Sequence, residues 1–269
     1  MHNPTQPIGE AYDLIAANYD AQWSAHVGSP QCRLTNGFGL RRGERCADLG
    51  CGTGLDTLEM ALQVQPGEVV GVDCSPGMLE ATRRRAAAAG LALTTRCQAA
   101  ERFIELFEPA SFDVISLRFC LGYLDSSDAL QRLPRLLRAG GRLGILTILA
   151  GSAPQAYDIY KQMAGELAFP IVALTALEPL EQIEAPLRAA KLAICEAWLH
   201  EFRLTFATGE QLTSWLRTSG IATTPLLSTL PVELANELWR AFGKRVEAQR
   251  GAADIPLDFQ IAGVIARRA

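Results

Sequence analysis

Residues 47–54 read Ala47-Asp48-Leu49-Gly50-Cys51-Gly52-Thr53-Gly54. An apolar run, Arg45–Leu49, leads into this stretch, and a helical pattern, Leu55–Val64, follows it. Glycines between a strand and a helix let the backbone turn sharply and come close to a ligand. In an open α/β sheet, ligands bind at the carboxyl ends of the strands, where this loop falls. Nineteen residues beyond Gly54 stands Asp73, at the end of the next apolar run. A carboxylate there can accept both hydroxyls of a ribose. The glycines fall at 50, 52 and 54; the third glycine of a dinucleotide fingerprint would be at 55, where this chain has Leu55.

Outward from the loop, apolar runs alternate with helical patterns. Val69–Val72 is a second strand. Ser75-Pro76 starts a helix, with Ser75 as N-cap and Pro76 at the first helical position, and Gly90 ends it. Leu91–Cys97, Val114–Leu117 and Arg142–Ile148 read as further strands, and a helix is expected from Asp125-Ser126 to Gly140-Gly141. Short connections between such units imply parallel strands with right-handed crossovers. Continuous apolar runs imply strands covered on both faces. Past Leu149 the segment 152–190 reads as helix cut by prolines 154, 170, 179 and 186. A strand over 192–206, a helix over Thr208–Ser219 closed by Gly220, a loop over 221–232, a helix over Val232–Gln249 and a strand over Phe259–Ala266 complete the chain.

The pattern Asp-x-Gly-x-Gly-x-Gly at 48–54 resembles motif I of the class I S-adenosylmethionine (SAM)-dependent methyltransferases. Tyr12-Asp13 and Tyr19-Asp20 resemble the N-terminal helix of that family. Ser111-Phe112-Asp113-Val114-Ile115 resembles the start of its fourth strand, and Leu137–Leu143 its turn into the fifth. Phe206-Ala207-Thr208 with Leu216–Gly220 is similar to its later strand–helix unit. The resemblance implies a doubly wound, seven-stranded, mostly parallel sheet of Rossmann-like type whose last strand runs antiparallel. It also implies methyl transfer from SAM, with S-adenosylhomocysteine as product. On this reading 1–40 is a helical cap, 41–150 the SAM-binding core, 151–190 a helical lid insertion and 191–269 the rest of the sheet domain.

Carried over by residue, Tyr19 closes over the methionine end of SAM. Asp48 and the backbone at Gly50, Cys51 and Gly52 take its amino-acid portion. Asp73 takes the ribose, Cys74 and Met78 lie along the adenine, and Ala100 and Glu101 edge it. Many members have an aspartate where this chain has Ala99, which leaves the adenine amino group to backbone contacts or Glu101. Arg118 is placed beneath the sulfonium, near the acceptor. Candidates for the acceptor side are Tyr12, His26, Arg118 and Tyr123, with His200 behind them. Arg118 suits an anionic acceptor, and His26 suits base catalysis. No catalytic residue is implied outright, because the cofactor carries the activation and a base is needed only where the acceptor must lose a proton.

Composition narrows the partners. The formal net charge is −4 with no long basic run, which disfavours a nucleic acid and leaves a small molecule. The N-terminus lacks a signal-peptide pattern and no apolar run reaches membrane-spanning length, so the expectation is a soluble, cytoplasmic protein. Seven cysteines without a C-x-x-C pair and three scattered histidines argue for reduced thiols and against a metal. The apolar, proline-broken stretch 169–180 suits a pocket wall, the core or a homodimer contact. Two other readings stay open: a SAM-binding enzyme with different chemistry, such as a cyclisation, and a non-catalytic partner subunit.

Overall fold

The computed structural model describes residues 6–124, 126–166, 179–221, 232–250 and 253–269. Seven strands, β1 (Arg45–Leu49), β2 (Glu68–Asp73), β3 (Thr94–Cys97), β4 (Phe112–Arg118), β5 (Leu137–Ile148), β6 (Leu192–Phe206) and β7 (Ile255–Arg268), form one sheet ordered β3-β2-β1-β4-β5-β7-β6. The five strands from β3 to β5 are parallel; β7 runs antiparallel to both β5 and β6. This is the doubly wound sheet with a reversed last strand that the resemblance implies.

Successive residues of a strand face opposite sides, and here both sides are buried. Ala47, Leu49, Val70, Ile115, Leu143 and Ile145 face one core with α5 (Ala100–Leu106), α6 (Ser126–Arg132) and α8 (Glu181–Ala189). Cys46, Val69, Val114, Leu146 and Ile265 face the other. That second core is covered by α2 (Ala25–Gly37), α3 (Leu55–Val64), α7 (Pro154–Glu166), α9 (Gly209–Thr218) and α10 (Val232–Arg250). Helix α4 (Pro76–Ala88) packs beside β2 and β3 and begins as expected: Ser75 accepts from the Met78 amide at 3.0 Å. Edge strand β3 is short and half-exposed, which blunts an open sheet edge.

Two expectations give way to the structure. The helix from Ser126 stops at Arg132 and tightens into a 3₁₀ turn, Leu133–Leu136; Pro134 lacks the amide that would continue it. Strand β5 therefore begins at Leu137, five residues before Arg142, and its pairing with β4 shifts register between Phe112 and Val114. The segment expected to be a lid also divides. Helix α7 packs on β7 and α10, while α8 buries Ile183 and Leu187 completely on the opposite face of the sheet. The stretch 167–178 between them lies outside the described residues, as do Asp125 and the loop 222–231.

The N-terminal segment is joined to the sheet. Helix α1 (Gln6–Ile15) lies against α4, and a π-helical turn, Asp20–Ser24, follows. The turn buries Trp23 among Phe119, Phe202, Trp215 and Phe259, with ring centroids 5.4–6.4 Å apart. Among the described residues no helix is long and apolar enough to cross a membrane.

Candidate functional site

The loop after β1 holds Gly50, Gly52 and Gly54 at φ of +71°, +53° and +82°. Gly54 is forced twice over, because a Cβ there would stand 2.6 Å from Thr82. Gly52 differs: a Cβ there would point into open space, its nearest neighbour being Tyr19 Cε1 at 3.9 Å. That space is a cleft open to solvent. It lies at the carboxyl ends of β1, β2 and β4.

Asp73 stands on its wall with both carboxylate oxygens oriented by backbone amides. Gly52 donates to Oδ2 at 2.9 Å and Ser75 donates to Oδ1 at 2.9 Å. Each oxygen keeps a second acceptor site, as two ribose hydroxyls require. Burial pushes its carboxyl up to about 6; the two amide hydrogen bonds oppose this, and the charges of Asp48 and Asp13 add to it.

Three tyrosines converge on the same cavity. Tyr12 and Tyr123 share a hydrogen bond at 2.9 Å, and Tyr12 also lies 3.4 Å from the Gly220 carbonyl. The Tyr12 ring meets those of Tyr19 and Tyr123 edge-on, at 6.1 and 6.2 Å. Burial is the main reason all three hydroxyls lie above their ordinary range, Tyr123 at about 12. At neutral pH each therefore keeps its proton and acts as a hydrogen-bond donor.

Of the expected cofactor residues, Tyr19, Gly50, Gly52, Asp73, Cys74, Met78 and Arg118 line this cavity, with Tyr12 and Tyr123 from the acceptor candidates. Asp48 does not. It is buried beneath the loop, where the Thr57 hydroxyl donates to its Oδ2 at 2.7 Å, so its carboxylate faces α3 rather than the cleft. Cys51 is buried too, and its sulfur would lie 3.2 Å from a Cβ on Gly71. Ala100 and Glu101 open α5, but their side chains lie outside the described residues.

Arg118 reaches the cavity wall but spends its guanidinium elsewhere. It forms an ion pair with Asp56 and donates to Ser116 and Thr35 hydroxyls, each at 2.9 Å. The guanidinium is thus a buried tie between β4, α3 and α2 and not a free cation. His26 is exposed on α2 with its ring 6.4 Å from Trp215, and His200 sits on edge strand β6 beside Phe202. Neither lines the cavity. Among the described residues no cluster of metal-ligating side chains exists.

Sequence reading missed Ile8, Gln98, Phe119, Cys120 and Leu124 on the wall. One of these carries a local signature only in three dimensions: Phe119 has φ of +53°, an uncommon conformation for a bulky residue. It follows the last residue of β4, and its ring meets that of Trp23 at 5.4 Å.

These residues fit SAM, with the ribose on Asp73, the loop backbone at Gly50 and Gly52 beside it and Met78 as an apolar wall. Comparison with known proteins agrees. A family model described as a methyltransferase domain matches residues 46–141. A demethylmenaquinone methyltransferase of Symbiobacterium thermophilum is 34% identical over 143 residues, which cover 51% of this chain and 57% of that protein. The ubiquinone/menaquinone biosynthesis C-methyltransferase UbiE of Azotobacter vinelandii is 33% identical over 174 residues, covering 60% of this chain and 68% of that one. Among solved structures, the [4+2]-cyclase SpnF superposes with a TM-score of 0.64 at 19% identity, covering 100% of this chain and 97% of that chain; this is a likeness of fold alone. With the strand order, the glycine loop and Asp73 all in place, identity of this extent over two thirds of a relative's length settles the family: the chain belongs to the class I SAM-dependent methyltransferases.

Proposed function

We propose that the protein methylates an uncharged, oxygen-bearing aromatic small molecule of the phenol or hydroquinone kind. The observation that carries this is the make-up of the cavity wall away from Asp73. It consists of the rings of Tyr12, Tyr19, Tyr123 and Phe119 with Leu124 and Cys120, and its one arginine is already paired with Asp56. An anionic acceptor would lose its water there without gaining a counter-charge, which is costly in a buried site. Aromatic walls favour a planar ring by edge and face contacts, and protonated tyrosine hydroxyls can donate to its oxygen. The names of the relatives, methyltransferases of demethylmenaquinone and of quinone biosynthesis, support the same acceptor class.

Methyl transfer from a sulfonium is an in-line displacement, and SAM when bound supplies the activated methyl. The chain's part is to bind, align and exclude water. Asp73 and the glycine loop hold the nucleoside end. The tyrosines fix the acceptor ring and stay protonated. No histidine or lysine lines the described cavity, so the acceptor enters neutral and its proton leaves to solvent as the methyl is transferred. The test is a panel assay with SAM and reduced quinones, phenols, amines and carboxylic acids, read by mass for one added methyl. Methylation of the phenol or quinol members supports the proposal. Turnover confined to amines or carboxylates refutes it.

A further inference from the structure

Tyr12 and Tyr19 enter the cavity from the N-terminal segment, and each is followed directly by an aspartate. The two aspartates, seven residues apart, grip different parts of the cofactor cleft. Asp13 Oδ1 accepts from the Ser75 hydroxyl at 2.5 Å and from the Gly77 amide at 2.7 Å. Asp20 Oδ1 accepts from the Thr53 hydroxyl at 2.6 Å and from Ser24 at 3.2 Å, and its Oδ2 pairs with Arg85 at 2.6 Å. Arg85 in turn donates to the Thr53 carbonyl. These anchor points are not arbitrary. Asp73 is oriented by the amides of Gly52 and Ser75; Asp20 holds Thr53, next to the first, and Asp13 holds Ser75 itself. The fit is close enough to dictate sequence: a Cβ on Gly77 would stand 2.9 Å from Asp13 Oδ1, and one on Gly9 2.6 Å from the Cys74 carbonyl oxygen.

We propose that Asp13 and Asp20 are positioning residues that clamp the tyrosine-bearing segment onto the two turns that orient Asp73, and thereby set how long the cofactor stays bound. The carboxylates touch no wall of the cavity; they act through Tyr12, Tyr19 and Asp73. Leaving requires the cofactor to pass a segment held by both, so loosening either speeds escape while the alignment at the methyl is rebuilt each time the segment closes. The inference rests on SAM binding and is independent of the acceptor.

The experiment measures SAM dissociation by stopped flow and the split between KM and kcat for Asp13→Asn, Asp20→Asn and Gly77→Ala. Loss of a charge-assisted hydrogen bond predicts release about tenfold faster and a matching rise in the KM for SAM, with kcat at saturation changed far less. Gly77→Ala separates clamping from mere stability. Its methyl displaces the Asp13 carboxylate, yet alanine favours helix over glycine. It should lose less melting temperature than Asp13→Asn and still release SAM about as fast as that variant. A parent that binds SAM, with all three variants releasing it within about twofold of the parental rate, overturns the inference alone, whatever their melting temperatures. A parent that binds no SAM overturns it together with the cofactor assignment.

Discussion

Of Asp48 and Asp73, both expected against the cofactor, Asp48 is buried beneath the loop and only Asp73 faces the cleft. Asp73 is raised to about 6 by burial at the cleft, against about 3.9 in an unfolded chain. Between those values the folded protein holds a proton that the unfolded chain has lost. Its destabilising contribution is therefore absent below about pH 4 and complete above about pH 6. Measured against Asp73→Asn, whose side-chain nitrogen can no longer accept from one of the two backbone amides, the cofactor-free parent should lose stability as the pH rises from about 4 to about 6. If Asp73 holds the ribose, the same group governs binding. SAM affinity of the parent should fall about tenfold per unit below pH 6, whereas the asparagine variant binds weakly, by roughly 1.5–3 kcal/mol, and without that pH dependence. Calorimetry across that range checks both signs. Asp48 is held beneath the loop with Thr57; burial raises its carboxyl too, and the charge of Arg118 opposes that rise. Removing Arg118 strands Asp48 and Asp56 together. Arg118→Ala should cost about 3–5 kcal/mol of stability by denaturant titration. An acceptor anchor would instead give a raised acceptor KM at unchanged stability. No local pattern announces the true partner of Arg118, because Asp56 lies on a different element, 62 residues earlier. The glycine spacing and Asp73, by contrast, were legible because backbone conformation and a single strand-end carboxylate are local properties.

At the scale of elements, helix starts were read more surely than helix ends. Ser75 and Thr208 cap α4 and α9 as their chemistry suggests, Thr208 accepting from the Gln211 amide at 3.1 Å. Pro134 was passed over because the glycine pair beyond it looked like a stop; removal of an amide ended the helix first. The lid shows a different limit. Prolines proved poor markers of breaks, since Pro154 opens α7 and Pro186 lies inside α8, and α8 went into the core on the strength of Ile183 and Leu187. Leu187→Ala should therefore destabilise the fold by about 2–5 kcal/mol, the cost of emptying a packed site. Lid behaviour would leave the unfolding midpoint in place and change kinetic constants only.

For the molecule as a whole, alternation along the strands dictated two cores, and the N-terminal segment completes the second of them. Val27, Leu34 and Phe38 are buried there with the sheet, and Trp23 is ringed by aromatics from β6, α9, β7 and the turn just after β4. The segment 1–40, a helical cap on the family resemblance, is thus anchored from Trp23 onward by apolar burial. Calorimetric unfolding should show one transition. SAM at a hundredfold excess over its Kd should raise stability by about 2.7 kcal/mol without splitting that transition. A separate early transition from the N-terminal segment would show that Trp23 does not couple it to the sheet.

Tyr12 belongs to the closing segment and also to the wall against which the acceptor is proposed to rest. On the clamping proposed above, the acceptor chamber is finished only when the nucleoside beneath it is in place. Addition should be ordered, SAM first and acceptor second, with S-adenosylhomocysteine departing last. In steady-state inhibition, S-adenosylhomocysteine should compete with SAM and be noncompetitive against the acceptor, and an inert acceptor analogue should be uncompetitive against SAM. An analogue that traps free enzyme would mean that the chamber stands complete before the cofactor arrives.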